Sequence, residues 1–226
     1  MKILAVGDIH GAFERLNCLI GQEKPDVILQ VGDFGYWPRL GDQDLKMIDT
    51  SRTRIYFCEG NNDDLDSLNA LIKKPAQAVE VSPRIFYMPR GSVLELEDGR
   101  RVLFMGGGKS VDRWRREEGW DWFPEEIISE KDLAHLPDPP VDIIISHTCP
   151  DEFPIEEARR QKIKDIDPSR SALSKLLHQY HPSLWYFGHW HTCGDGMYKD
   201  TMWVCLNWVR HSATWSRVLP GQIMDR

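Results

Sequence analysis

Asp8 and His10 stand one residue apart between Gly7 and Gly11, directly after the apolar run Ile3-Leu4-Ala5-Val6. A carboxylate and an imidazole placed so leave a buried strand at its C-terminal end, where the backbone is free of the ladder and side chains can converge on something small. A metal ion is the ligand such a pair suits. Four later runs end in the same manner. Gly32-Asp33-Phe34-Gly35 follows Asp26 to Val31, and Glu59-Gly60-Asn61-Asn62-Asp63 follows Ile55 to Cys58. Ser146-His147 closes the run from Val141, and Gly188-His189-Trp190-His191 closes the run from Leu184 to Phe187. Carboxylate, imidazole and amide oxygen without thiolate suit divalent Mn, Fe, Ni, Co or Zn, and are too rich in nitrogen for a dedicated Mg or Ca cage.

Each position alone has a plainer explanation. An aspartate after a strand is ordinarily a helix cap, a buried histidine is ordinarily a satisfied core residue, and Asn beside Gly is ordinarily a turn. Five strand ends that all carry metal-type ligands are a coincidence those explanations do not cover.

The elements that must position these residues are legible as alternating strands and helices. Phe13, Leu16, Leu19 and Ile20 recur at helical spacing, Asp44 to Thr50 is a weaker helix, and Leu65, Leu68, Leu71 and Ile72 share one helix face with Asp63 or Asp64 as its cap. Strand and helix alternating at this spacing predict right-handed βαβ units in a parallel sheet, whose strand ends open on a common crevice. Ile85-Phe86-Tyr87 and Val93 to Leu96 read as antiparallel strands, and Asp98-Gly99 turns the latter into Arg101 to Met105. Asp167 and Pro168 open a helix carrying Ala172, Leu173, Leu176, Leu177 and Tyr180, and Thr201 to Val218 reads as further antiparallel strand.

The ordered set GDIHG, GDFG, GNND, SH and GHWH resembles the calcineurin-like metallophosphoesterase superfamily, whose pattern is D-x-H, G-D, G-N-H followed by Asp or Glu, H, and G-H-x-H. The match runs from Asp8 to His191. The resemblance implies an α/β fold, a two-sheet αββα sandwich of the metallophosphoesterase type, with residues 1–226 as a single domain. It implies two divalent metal ions, manganese first among the candidates: Asp8, His10, Asp33 and His191 on one, Asp33, Asn61, His147 and His189 on the other, with Asp33 bridging. Cations about 3.5–4 Å apart lower the pKa of a bridging water and clamp phosphoryl oxygens during in-line attack. Asp33, Asn61, Asn62 and His10 are the expected catalytic residues.

One departure bears on the substrate. The family's third motif usually supplies a histidine that protonates the leaving group, and here that position is Asn62. An amide does not replace a general acid, whose contribution is about 10²–10⁴-fold, and Asp63, left with no histidine to orient, is expected to act as a helix cap instead. The expected reaction is therefore hydrolysis of phosphodiesters of nucleotide or nucleic-acid type. The alternatives are a phosphomonoesterase or protein phosphatase, and a catalytically weak binding scaffold, as the retromer subunit of this fold resembles.

Beyond the motifs, Gly106-Gly107-Gly108-Lys109-Ser110 is not a P-loop, because the required upstream glycine is Leu103. Lys109 remains a candidate for substrate phosphate. Arg113-Trp114-Arg115-Arg116 with Trp120, Trp122 and Phe123 interleaves bases and aromatics as a nucleotide platform would, but Glu117, Glu118 and Asp121 neutralise it. Asn62, Lys109, Arg113 and Trp37 are the expected substrate contacts, and Tyr36 is placed with Trp37 at the pocket wall. Arg159, Arg160, Lys162 and Lys164, offset by Glu156 and Glu157, read as a solvated helix face, and His181 and His211 as structural.

Composition sets the outer bounds. Hydrophobic residues at 41% and charged residues at 28% of 226 describe an ordinary soluble globular chain, and a net charge of -7 argues against a generally basic nucleic-acid binder. No apolar run reaches the ~20 residues of a membrane span. Asp8 interrupts the N-terminal run before a signal peptide could form. Five dispersed cysteines without a CxxC read as reduced thiols in a cytoplasmic protein. Nothing in the sequence sets the oligomeric state.

Overall fold

The central strands are buried on both faces, which is why they read as unbroken apolar runs. A computed structural model describes residues 1–41, 45–156, 167–211 and 214–221. In its first sheet β1 (Ile3–Val6), β2 (Val27–Gln30), β3 (Arg54–Phe57) and β5 (Ile85–Tyr87) run parallel. Antiparallel edges close it, β4 (Val79–Ser82) beside β5 and β12 (Ser216–Val218) beside β1. The second sheet repeats the plan. Its parallel centre is β7 (Arg101–Met105), β8 (Ile143–Ser146), β9 (Leu184–Phe187) and β11 (Thr201–Cys205). Its edges are β6 (Val93–Glu95) and β10 (Gly194–Tyr198), both antiparallel.

Side chains alternate between faces, so each strand feeds two layers. Ala5, Leu29, Phe104, Ile143, Ile145 and Tyr186 pack between the sheets. Leu4, Val6 and Ile28 turn outward onto Phe13, Leu16 and Ile20 of α1 (Phe13–Glu23). Ile144, Trp185 and Phe187 turn outward onto Leu173, Leu176 and Leu177 of α4 (Pro168–Tyr180). The result is one α/β domain of two mixed six-stranded sheets with helices outside, counting only described residues.

The helix signals translate into caps. Asp167 accepts from the Ser169 N–H at 2.9 Å ahead of Pro168. Of the two candidates before α2 (Leu65–Leu71), Asp64 is the cap, accepting from the Ser67 N–H at 3.1 Å. The helix stops at Leu71, and Ile72 is already extended. A four-residue helix, α3 (Glu130–Leu133), lies between β7 and β8.

Two strand readings change. Ile85–Tyr87 is antiparallel only to β4, a strand the sequence did not announce, and parallel to β3. The tail from Thr201 divides, β11 lying parallel to β9 while β12 crosses to the first sheet. The weak helix survives as one 3-10 turn at Leu45–Met47, and Asp44 lies outside the described residues, as do Glu157, Arg159, Arg160, Lys162 and Lys164. Among the described residues no helix is long and apolar enough to cross a membrane.

Candidate metal centre

The loops after β1, β2, β3, β8 and β9 meet over one end of the sandwich. Four of the residues they bring have left-handed backbones: His10 (φ 48), Asp33 (φ 52), His189 (φ 70) and His191 (φ 48). Each such non-glycine residue costs about 1–2 kcal/mol, a strain characteristic of functional sites. The motif glycines answer to close approach. A Cβ at Gly60 would collide with Asp33 Oδ1, and one at Gly188 with Asp8 Oδ1.

Asp8, His10, Asp33 and His191 each offer a ligand atom, and these four atoms lie within 4.8 Å of one another. His10 Nε2 is 3.2 Å from His191 Nε2, and His191 Nε2 is 3.5 Å from Asp8 Oδ2. A second group adjoins the first. Asn61 Oδ1 is 3.0 Å from His147 Nε2 and 2.9 Å from His189 Nδ1, and those nitrogens are 3.2 Å apart. Asp33 belongs to both groups, with Oδ1 3.4 Å from His147 Nε2 and Oδ2 3.6 Å from His10 Nε2.

The donor set of the second group fits a cation. His147 Nδ1 lies 3.1 Å from the Val31 carbonyl oxygen, so its proton belongs there and Nε2 presents a lone pair. Asn61 Nδ2 donates to Ser110 Oγ at 3.2 Å, which turns Oδ1 inward. In the neutral ring two acceptors then face each other at 3.0 Å, an arrangement that positive charge resolves, whether as a proton on the ring or as a cation between them.

The pKa shifts express the same demand. Burial works against the Asp33 carboxylate, yet His147, His10 and two bonds from Asn62 hold it well below the usual range. Burial depresses His147, but Asp33, Asp8 and Asp63 outweigh it and its pKa is raised. Burial, with His147 next to it, takes His189 down to about 3, so that its ring stays neutral and able to ligate.

Asn62 sits against the shared carboxylate. Its backbone N–H donates to Asp33 Oδ1 at 2.7 Å and its side-chain Nδ2 to Oδ2 at 2.8 Å. Asp63, one of the two expected helix caps, has another occupation. It is fully buried and accepts backbone N–H bonds from Phe34, Gly35, Tyr36 and Gly60 at 2.7–3.2 Å. Burial and the Asp33 charge push its pKa up to about 7 against the bonds from Gly60, Tyr36 and Gly35.

The ligand groups floor a cavity of about 750 Å³, with Arg116, Trp190, Trp208 and Arg210 in its walls. Of the expected substrate contacts only Asn62 lines it among the described residues. Arg113 lies 3.6 Å over the Trp122 ring and pairs with Glu118 at 3.6 Å. The Lys109 N–H donates to Asp167 Oδ2 at 3.3 Å, and Trp37 Nε1 donates to the Asn62 carbonyl at 2.8 Å. Tyr36 packs partly buried against the core beneath α1. Trp208 and Arg210 were missed by sequence reasoning, which ran strand from Thr201 to Val218; in the structure that strand ends at Cys205 and both follow it.

The family profile for calcineurin-like phosphoesterases matches residues 1–193. The chain belongs to that family, with a candidate metal-binding cluster of the kind its members use. A comparison with curated proteins returned no match. Among solved structures it is similar to a phosphopantetheinyl hydrolase of Mycobacterium tuberculosis, with 13% identity over 100% of this chain and 98% of that one, TM-score 0.49. An anchor protein of the Plasmodium inner membrane complex matches at 12% identity over 91% of this chain and 70% of that one, TM-score 0.47. A predicted phosphoesterase from Streptococcus pneumoniae matches at 11% identity over 92% and 72%, TM-score 0.40.

Proposed function

We propose that residues 1–226 form one catalytic domain that hydrolyses phosphodiesters of nucleotide or nucleic-acid type with two divalent cations, manganese first among Mn, Fe, Ni, Co and Zn. The observation that carries this reading is Asp33, whose two carboxylate oxygens face two separate groups of ligand atoms. Asp8, His10, Asp33 and His191 would hold one cation, and Asp33, Asn61, His147 and His189 the other. When bound, such a pair supplies Lewis acidity toward phosphoryl oxygens and an acidified water.

The chain's own residues do the rest. Asn62 holds Asp33 by both oxygens, so its amide is occupied in orienting the shared ligand and brings no ionisable proton to a leaving group. A substrate whose leaving group departs without strong acid assistance is the one this site serves, which favours diesters and activated esters over alkyl monoesters. Arg116 and Arg210 in the cavity wall offer positive charge to phosphate oxygens, and Trp190 and Trp208 offer aromatic surface to a base.

The test compares bis-p-nitrophenyl phosphate with p-nitrophenyl phosphate for the Mn-loaded protein, with Asp33→Asn as control. Preference for the diester, abolished in the control, is the expected result. A strong preference for the monoester would overturn the diesterase reading.

A further inference from the structure

Behind Asn61 lies a carboxylate that no motif contains. Glu126 is 1% exposed and Ser110 is 1% exposed. Glu126 Oε1 accepts from the Ser110 backbone N–H at 2.7 Å and from Trp122 Nε1 at 2.9 Å, and Oε2 accepts from Ser110 Oγ at 2.6 Å. A buried carboxylate is retained where its acceptor capacity is used, and three donors meet that condition here.

The consequence reaches the metal ligand through one proton. A serine hydroxyl has a single hydrogen. Burial raises the Glu126 pKa, but the Ser110 and Trp122 donors oppose this, and the carboxylate they hold can only accept that hydrogen, at 2.6 Å. Ser110 Oγ therefore turns lone pairs toward Asn61, and the amide must answer with its NH₂ group, as the 3.2 Å bond from Nδ2 shows. Oδ1 is left pointing at His147 Nε2 and His189 Nδ1. Were Ser110 to donate toward Asn61, the flipped amide would satisfy it equally well and would put hydrogens where the cation belongs.

We propose that Glu126, acting through Ser110, is a positioning residue that sets the orientation of the Asn61 amide and with it the affinity of the second cation site. The inference rests on the two-cation reading above. It explains why the loop from Ser110 to Phe123 is tied to the same ligand twice, since Arg116 Nη1 also donates to the Asn61 carbonyl at 3.1 Å.

Glu126→Gln tests it by reversing one bond without changing shape. The new amide keeps Oε1 for the Ser110 N–H and Trp122, and presents NH₂ to Ser110 Oγ, which sends the hydroxyl proton toward Asn61. Mn²⁺ titrated into the full chain by calorimetry should show two sites in the wild type and one in His147→Ala. Glu126→Gln should keep the tighter site and weaken the other by about 10–100-fold, the usual effect of losing an outer partner. In a Ser110→Ala background, Glu126→Gln should add nothing, because the path runs through the hydroxyl. A second-site affinity unchanged by Glu126→Gln, or an effect that adds in full to that of Ser110→Ala, overturns the inference. Two sites remaining in His147→Ala would instead overturn the two-cation reading. If Glu126→Gln does not fold, Ser110→Ala decides alone: weakened second-site binding supports the inference, and unchanged binding refutes it.

Discussion

Asn62 grips Asp33 from two directions, its backbone N–H on Oδ1 at 2.7 Å and its side-chain amide on Oδ2 at 2.8 Å. The residue where the family usually carries an acid is here a brace for the carboxylate that belongs to both groups of candidate ligands. Asn62→His restores an ionisable proton and gives up one bond to Asp33. Hydrolysis of glycerol phosphate, an alkyl monoester whose leaving group needs a proton, should rise at least about tenfold relative to the diester, a modest part of what a general acid can supply. Asn62→Ala should instead lower diester turnover by about tenfold, the worth of one hydrogen bond to a charged group. Steady-state rates on both esters check the pair; a ratio unmoved by Asn62→His would show that leaving-group acidity does not govern this site.

Asp63 organises the backbone that carries Asp33. Its Oδ1 takes the Gly35 and Tyr36 N–H groups and its Oδ2 takes Phe34 and Gly60. Asn at this position keeps one acceptor oxygen and turns an NH₂ group on two buried donors. The loss should be about 3 kcal/mol, which for a chain of this length lowers Tm by roughly 6–12 °C. Calorimetric melts of the metal-free variant measure it without reference to activity. A shift under about 2 °C would mean the loop finds other acceptors.

The contrast between Asp63 and Asp64 shows where sequence reading stops. Both are acids ahead of an apolar helical run, and spacing alone makes either one a cap. What separates them is a long-range fact, the position of Phe34 to Tyr36 around one carboxylate. The strands and the ends that carry Asp8, Asp33, Asn61, His147 and His189 were legible because unbroken apolar runs followed by Gly and polar residues are local signals. β4 was not, since Val79–Ser82 is mostly half-buried and lacks an apolar run. Trp208 and Glu126 were equally silent. Trp208 reaches the site through a ring stack on His191 and an edge contact with His10, and Glu126 through a serine hydroxyl, all contacts made by folding.

The cysteines divide by environment. Burial pushes the Cys149 thiol up to about 12 and Cys58 well above its ordinary value, while Cys18 and Cys193 are exposed. A raised thiol pKa keeps the reactive thiolate scarce well below it, so raising the pH from 7 to 9 recruits neither of these two, and Cys205 is buried with them. Titration with a disulfide reagent should count two fast thiols in the native protein at both values and five in denaturant. A third fast thiol at pH 9 would place Cys58, Cys149 or Cys205 in contact with solvent.

Glu152 binds the segment after β8 to α4. Burial opposes its charge, but bonds from Ser174 Oγ at 2.6 Å and His178 Nε2 at 2.7 Å prevail and its pKa is lowered. A carboxylate depressed in the folded state adds stability above its unfolded pKa and loses it as the pH falls through the folded value. Glu152→Gln should therefore cost about 0.5–1 kcal/mol near pH 6, as exposed pairs do. The cost should shrink toward zero as both proteins are melted at progressively lower pH. A penalty constant down to pH 3 would assign the effect to packing.

Trp208 lies flat on His191, with ring centroids 4.6 Å apart at an interplanar angle of 3°, and meets His10 edge-on at 5.9 Å. Both histidines belong to the group of Asp8 and Asp33, and both hold left-handed backbones that packing must maintain. His191 is 41% exposed in its side chain, so few other contacts restrain its ring. On the proposed two-cation reading, Trp208→Ala should free that ring and weaken Mn²⁺ binding at the first site by about tenfold, within the range for losing an outer partner. The second site, whose ligands Trp208 does not contact among the described rings, should keep its affinity, so the two calorimetric transitions move apart rather than together. Trp208→Phe retains a flat face and should recover most of the loss. Equal weakening at both sites, or no recovery with phenylalanine, would show that Trp208 supports the cavity as a whole and not the imidazole beneath it.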